Sequence, residues 1–318
     1  MTSEIRPSAL VGRSLPQVLP RVLARLGLAL CLPAALASAL AGAAAAQEQG
    51  RTTTEARYGV CGSLDDSCYH AWYDRSSGEE APLKALIFYY VAPGVKPHEN
   101  REFGVAALRK LLEANGYEVT TTEDPADMES GFTLRPYDAV IFFNTGRDAL
   151  SSLGQMALRI YVESGGGFVG IHNAFGTNFN WRWYEGLLGT QLFDHGPRQT
   201  ATVEVQAPGD VSMAAMPEGK SFDEEEFYNL YPDPRDLTDL RVLMTVDEAS
   251  MLQGTKGYFG NPGMGAGHPV TWCHYYDGGR AWLTTLGHTE AIFEDQDFLN
   301  MVLGGVNSVA GQAPFCQD

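Results

Sequence analysis

Gly165-Gly166-Gly167-Phe168-Val169-Gly170-Ile171-His172 is a glycine turn running into an apolar segment that ends on an imidazole. Gly167–His172 reads as a buried strand, and a helical pattern over Leu153–Ser164 leads into it. Upstream, Ala139–Phe143 and Glu118–Thr122 read as further strands. Leu83–Val91 holds the continuous run Leu86-Ile87-Phe88-Tyr89-Tyr90, as expected of a parallel strand covered on both faces. Between them Asn100 caps a helix running to Asn115, in which Val105, Leu108 and Leu112 form one buried stripe and Gly116 ends the pattern. The order β-α-β-β-α-β predicts an α/β fold with a mainly parallel central sheet.

In such sheets the ligand crevice lies beyond the carboxyl ends of the strands. Pro93, Gly94 and His98 follow the first strand; Asn144, Thr145 and Gly146 follow the third; His172, Asn173 and Ala174 follow the fourth. Histidines and amides are therefore expected along one rim.

The flanks bound the compartment and the partners. Arg6, Arg13, Arg21 and Arg25 accompany an Ala/Leu-rich run ending in Ala44-Ala45-Ala46, so residues 1–46 read as a cleaved signal peptide and the protein as periplasmic or secreted. Leu26 to Leu40 is interrupted by Pro33 and is shorter than the roughly 20 residues of a spanning helix. No membrane insertion is expected after processing. Against 22 Lys and Arg stand 39 Asp and Glu, and the formal charge of −17 becomes more negative once four Arg and one Glu leave with the leader. That surface disfavours nucleic acid and anionic lipid, although acidity also serves solubility alone. Residues 47–81 read as a polar N-terminal extension, 82–310 as the main domain and 311–318 as a tail. Cys61 and Cys68 bracket a short polar loop that a disulfide could close, whereas Cys273 and Cys316 are left open. Gln253–Gly267 is glycine-rich and reads as a mobile loop over the cleft. It lacks the strand-GxxxxGK-helix context of a phosphate cradle, so no nucleotide is expected.

Several ordered motifs carry a resemblance. Gly165–His172, Leu187-Leu188-Gly189 with Phe193-Asp194-His195, Glu225-Glu226-Phe227-Tyr228, and Gly279-Arg280 leading to Leu286-Gly287-His288 resemble ThuA-like (trehalose-utilisation) proteins, with His98 in place after the first strand. The resemblance spans about 225 residues and implies a class I glutamine amidotransferase-like, flavodoxin-like three-layer sandwich. In the amidotransferases the matching turn carries a nucleophilic cysteine. Here it carries His172, so thiolate glutaminase chemistry is not expected.

His98, His172, His195 and His288 each fall at a strand end or just after an apolar segment. With Glu226 they are the candidate ligands for a divalent ion, zinc first. Without metal, His172, His195 and Glu226 would serve as acid–base groups. His70 reads as a surface residue and His274 as a sheet histidine, while His268 stays open. Glu224-Glu225-Glu226 would ordinarily be a solvated run. Strand alternation sets Glu226 and Tyr228 on one face and Glu225 and Phe227 on the other, which selects Glu226 as the functional carboxylate; the alternative is an edge-strand decoration. Asn144, Asn173, Trp181 and Tyr228 are the candidate substrate contacts, because sugars need ring faces together with amides and hydroxyls. Trp181 and Trp183 could equally open a short helix and pack into the core.

The resemblance implies a small-molecule carbohydrate as partner. The expected activity is chemistry on sugars or keto-sugar derivatives of glycosides, by deprotonation next to a carbonyl with metal or His/Glu assistance. The alternatives are a metal-assisted glycoside hydrolase and a non-catalytic sugar-binding module.

Overall fold

The computed structural model describes residues 50–72 and 82–318. The expected leader over 1–46, and residues 47–49 and 73–81 of the extension, lie outside the described residues. The strands are β1 (Gly62–Ser63), β2 (Leu83–Phe88), β3 (Tyr117–Thr122), β4 (Ala139–Phe143), β5 (Gly167–Ile171), β6 (Leu192–His195), β7 (Gln199–Val205), β8 (Ser221–Glu225), β9 (Tyr228–Leu230), β10 (Arg241–Val246), β11 (His268–Tyr276) and β12 (Gly279–Thr284). One sheet runs β3-β2-β4-β5-β12-β11-β10-β7-β8, with β1 beside β11; β6 and β9 pair separately.

The sheet has two halves. From β3 to β12 all neighbours are parallel, and from β12 to β8 all are antiparallel. The expected parallel sheet is therefore one half of a mixed one. The change comes at Asp277-Gly278, which joins β11 to β12 with φ of 46° and 100°. An Asp-Gly pair with positive φ at both residues is the tight turn that matches hairpin twist, and it obliges the two strands to run antiparallel.

Alternation along the parallel strands feeds two cores. Ala85, Ile87, Ile141, Phe143, Val169 and Ile171 meet Leu108 and Leu112 of the helix Arg101–Ala114 and Val302 and Val306 of the helix Gln296–Val309. Leu86, Phe88, Val140, Phe142 and Phe168 meet Leu158 and Val162 of the helix Ser152–Glu163 and Leu187 of the helix Arg182–Leu188. Each of these Val, Leu, Ile and Phe side chains contributes about 1.5–3 kcal/mol on burial. In chain order the five parallel strands stand 2-1-3-4-5, so the chain reverses direction across the sheet between β2 and β4, where a crevice opens beyond their carboxyl ends.

Both ends of the described chain are tied to this sheet. Thr54 donates to Asp239 from its main-chain N and its hydroxyl, each at 2.8 Å, and Cys61 is bonded to Cys68. Cys273 of β11, left open by the sequence, is bonded to Cys316. Among the described residues no helix is long and apolar enough to cross a membrane.

Close approach of the helix Gln296–Val309 to β12 depends on Gly305, and to the segment at Ser212 on Gly304. A Cβ at Gly305 would fall 2.4 Å from the Trp282 ring, and one at Gly304 would fall 2.6 Å from the Ser212 main chain. In an open helix Ala is better than Gly by about 1 kcal/mol. Here Gly305→Ala is expected to reverse that sign and lower stability by about 1–3 kcal/mol, measured as the shift in denaturant midpoint at constant slope.

Candidate functional site

Two adjacent strands end in left-handed residues. Asn144 follows β4 with φ of 48°, and His172 follows β5 with φ of 50°. Non-glycine residues held there cost about 1–3 kcal/mol each and need surrounding structure to hold them. A chain of amides supplies it. Asn144 donates to Asn100 Oδ1 at 3.0 Å and accepts from the Asn173 N–H at 3.3 Å, while Asn100 donates to the Gly287 carbonyl at 2.9 Å and Asn173 to the Thr145 carbonyl at 2.7 Å. Asn100 sits at the helix N-cap as expected but makes no side-chain cap bond. Its amide instead links the turns after β4 and β12.

His172 is fully buried, with its ring turned inward. Its Nδ1 is 2.7 Å from the Thr285 carbonyl oxygen, which can only accept. Nδ1 therefore carries the proton, and Nε2 presents a lone pair. Around Nε2 stand the Tyr228 hydroxyl at 2.9 Å, His288 Nδ1 at 3.2 Å and Glu226 Oε2 at 3.7 Å; Glu226 Oε2 is 3.2 Å from His288 Nδ1. The His98 ring meets those of His172 and His288 at 4.8 and 5.2 Å. One ligand atom from each of His98, His172, Glu226 and His288 lies within 4.8 Å of the others. A tetrahedral ion with bonds of about 2.0–2.1 Å sets its ligand atoms roughly 3.3 Å apart, so this donor set fits zinc with small side-chain adjustments.

The charges are arranged to match. Burial, then the neighbouring His288, pushes His98 from 6.5 down to about 4. Burial, then His98 and His288, holds His172 well below 6.5. Burial alone would raise Glu226, but its hydrogen bond to His288 and the charges of His288, His195 and His98 outweigh that and hold it below the usual carboxylate value. Near neutral pH His98 and His172 are thus neutral and Glu226 is a carboxylate, the protonation states a divalent ion requires of them.

His195 stands beside the quartet. Its Nδ1 is 2.8 Å from the Gly196 carbonyl oxygen and 3.7 Å from Glu226 Oε1, the other oxygen of that carboxylate. Asn144 and Asn173 are the wiring described above, and the hydroxyl of buried Tyr228 is directed to His172. Trp181 stacks on Trp183 and Tyr184 at 4.9 and 5.8 Å and packs against the core, the alternative anticipated for it. His268 bridges Glu248 and the Tyr228 carbonyl, each at 2.9 Å, and so braces Tyr228. His70 is half-buried against the Glu163 carbonyl rather than a free surface residue.

Glu225 is the residue that sequence reasoning passed over. Fully buried, its carboxylate accepts from the main-chain N–H groups of Gly287, His288 and Thr289 at 3.1, 3.1 and 3.3 Å, which fixes the turn that carries His288. Burial pushes it up to about 7 against the pull of the His288 and Gly287 N–H groups. Strand alternation had assigned it to the face opposite Glu226. The strand ends at Glu225, and Glu226 and Phe227 lie between β8 and β9, so alternation does not run through the pair. A cleft of about 600 Å³ opens on His98 and His288, lined also by Lys96, Asn100, Arg198 and Thr289.

Among curated proteins none matches the chain. Among solved structures, a ThuA-like protein from Bacteroides uniformis superposes with a TM-score of 0.61 at 22% identity, covering 74% of this chain and 94% of its own. A ThuA-like protein from Parabacteroides merdae gives 0.58 at 18% identity, covering 75% and 93%. These likenesses concern the fold. A family model described as "Trehalose utilisation" matches residues 84–308, which take in all the strands from β3 to β12, the four clustered side chains and Glu225. On that match the chain belongs to the ThuA family.

Proposed function

We propose that this protein is an exported, carbohydrate-active enzyme of the ThuA family that acts on sugars or keto-sugar derivatives of glycosides at a divalent-metal site. The observation that carries the reading is the convergence of His98, His172, Glu226 and His288 at the carboxyl edge of the parallel strands. The 2-1-3-4-5 order of those strands, with helices on both faces, supports a flavodoxin-like three-layer core. The two disulfides support an oxidising, periplasmic or secreted setting. All four cysteines among the described residues are in these bonds, in keeping with the loss of thiolate chemistry at His172.

His98, His172, Glu226 and His288 would hold the ion. When bound, it would polarise a sugar carbonyl or lower the pKa of a water molecule. The chain supplies the rest. Glu226 is ionised near neutral pH and can take a proton from the carbon next to a carbonyl, with the Nδ1–H of His195 beside its other oxygen. Burial and the nearby carboxylates hold the Tyr228 hydroxyl far above 10, so it stays a donor, and the Thr285 carbonyl keeps His172 in one tautomer.

Elemental analysis of the purified protein beside His172→Ala tests the site. Near-stoichiometric zinc or manganese in the wild type, falling sharply in the variant, is expected; no metal in either protein after metal addition would overturn it. With metal present, turnover that requires a keto-sugar and stops on chelation fits the carbonyl reading. Rapid cleavage of an unoxidised glycoside would replace that reading with hydrolysis.

The Glu225 clamp generates its own expectation. Glu225→Gln keeps the size of the side chain but sets an amide against three N–H donors. Zinc affinity, measured by competition with a chromogenic chelator, is expected to fall about 10- to 100-fold, in the range for residues that orient a ligand.

A further inference from the structure

The rings that the sequence offered for sugar stacking, Trp181 and Trp183, are committed to one another and to the core, yet the surface beside the quartet carries other aromatics. Tyr258 and Phe259 are 68% and 82% exposed, and Tyr231 and Phe193 are 72% and 48% exposed. Single exposed apolar side chains are ordinary, but a group of rings at the margin of a polar site marks a binding surface.

These rings are fixed to the site through short links. The Tyr258 ring meets that of His195 at 5.4 Å, and the Tyr258 N–H donates to the His195 carbonyl at 3.0 Å. His195 in turn lies 3.7 Å from Glu226. The Phe259 N–H donates to the buried Asp194 carboxylate at 2.9 Å, so its main chain is anchored while its ring faces water. A Cβ at Gly257 would meet that same carboxylate at 2.1 Å, which is why the loop can close on Asp194 only with glycine there. Phe193 precedes Asp194, and its ring stands 6.5 Å from that of Tyr231. Asp194 thus anchors the loop that holds Tyr258 and Phe259 beside the strand that carries Phe193 and His195.

We infer that this aromatic surface is a subsite for a second pyranose ring, so that the protein takes disaccharide-sized glycosides with one ring at the quartet and the next stacked on Tyr258 and Phe259. The inference rests on the carbohydrate reading above. The C–H face of a pyranose is flat and apolar, and an exposed aromatic face covers it without requiring any polar group to be buried unpaired. Continuity with Glu226 through His195 sets the stacked ring next to the reacting one.

Calorimetric titration with glucose, with its α- and β-linked disaccharides and with phenyl glucoside provides the test. The wild type is compared with Tyr258→Ala, Phe259→Ala and Tyr258→Phe, and with Leu252→Ala as an exposed apolar control on the same segment. At least one disaccharide is expected to bind more tightly than glucose. Tyr258→Ala and Phe259→Ala should each weaken that disaccharide roughly three- to tenfold and leave glucose unchanged, while Tyr258→Phe and Leu252→Ala keep the preference. Melting temperatures should not move, because the rings are exposed. An unchanged disaccharide-to-glucose ratio in both alanine variants would overturn the subsite alone. A gain for phenyl glucoside without one for any disaccharide would overturn the pyranose assignment and make the surface an aryl site. Failure of every sugar to bind the wild type, the 3-keto forms of glucose and of its disaccharides included, would overturn the carbohydrate reading and the subsite together.

Discussion

The carboxylate of Glu225 joins the antiparallel half of the molecule to the parallel half beside the site. It ends β8, the last strand of the antiparallel half, and accepts three consecutive N–H groups from the turn after β12, the last strand of the parallel half. The next residue, Glu226, belongs to the quartet, and the turn it grips carries His288. Remove the carboxylate and three main-chain donors lose their acceptor, with a penalty of about 1–3 kcal/mol for the buried Gly287 N–H if it is left unpaired. The position of His288 relative to Glu226 is therefore set by one ionisable group and its neighbours, not by the sheet alone.

Around that clamp the site is held by a connected set of hydrogen bonds. The amides of Asn100, Asn144 and Asn173 lock the turns, while main-chain carbonyls at Thr285 and Gly196 set the tautomers of His172 and His195. His268, held by Glu248, braces the Tyr228 main chain, and the Tyr228 hydroxyl reaches His172. Polar groups in such a network gain from being satisfied together, because the low-dielectric interior makes any one left out expensive.

The parallel half and the histidines were legible because both follow from a single rule. Continuous apolar runs such as Leu86–Tyr90 mark strands covered on both faces, and residues at the carboxyl ends of such strands face the crevice. That logic reaches His98 and His172 from local pattern alone. It could not reach the antiparallel half, where the decisive signal was the dipeptide Asp277-Gly278 and its positive φ values. Nor could it reach Glu225, because alternation assumes one strand through Glu225–Tyr228, whereas β8 ends at Glu225 and β9 starts at Tyr228. Asn100 was legible as a helix cap, but its tie to Gly287 crosses 187 residues of chain, a distance no local pattern spans. Trp181 shows the converse: an aromatic in the right loop was drawn into the core by Trp183 and Tyr184.

The four clustered side chains come from the segments after β2, after β5, between β8 and β9, and after β12. No hairpin, helix pair or half-domain contains more than a part of them. The cluster therefore cannot exist in any partly folded form that lacks one of the sheet's two halves, and an ion held there would act as a latch on the completed domain. Its binding energy would add to global stability and leave local fraying untouched, so chain quality control would meet a protein whose competence for its ligand and whose finished fold are the same event.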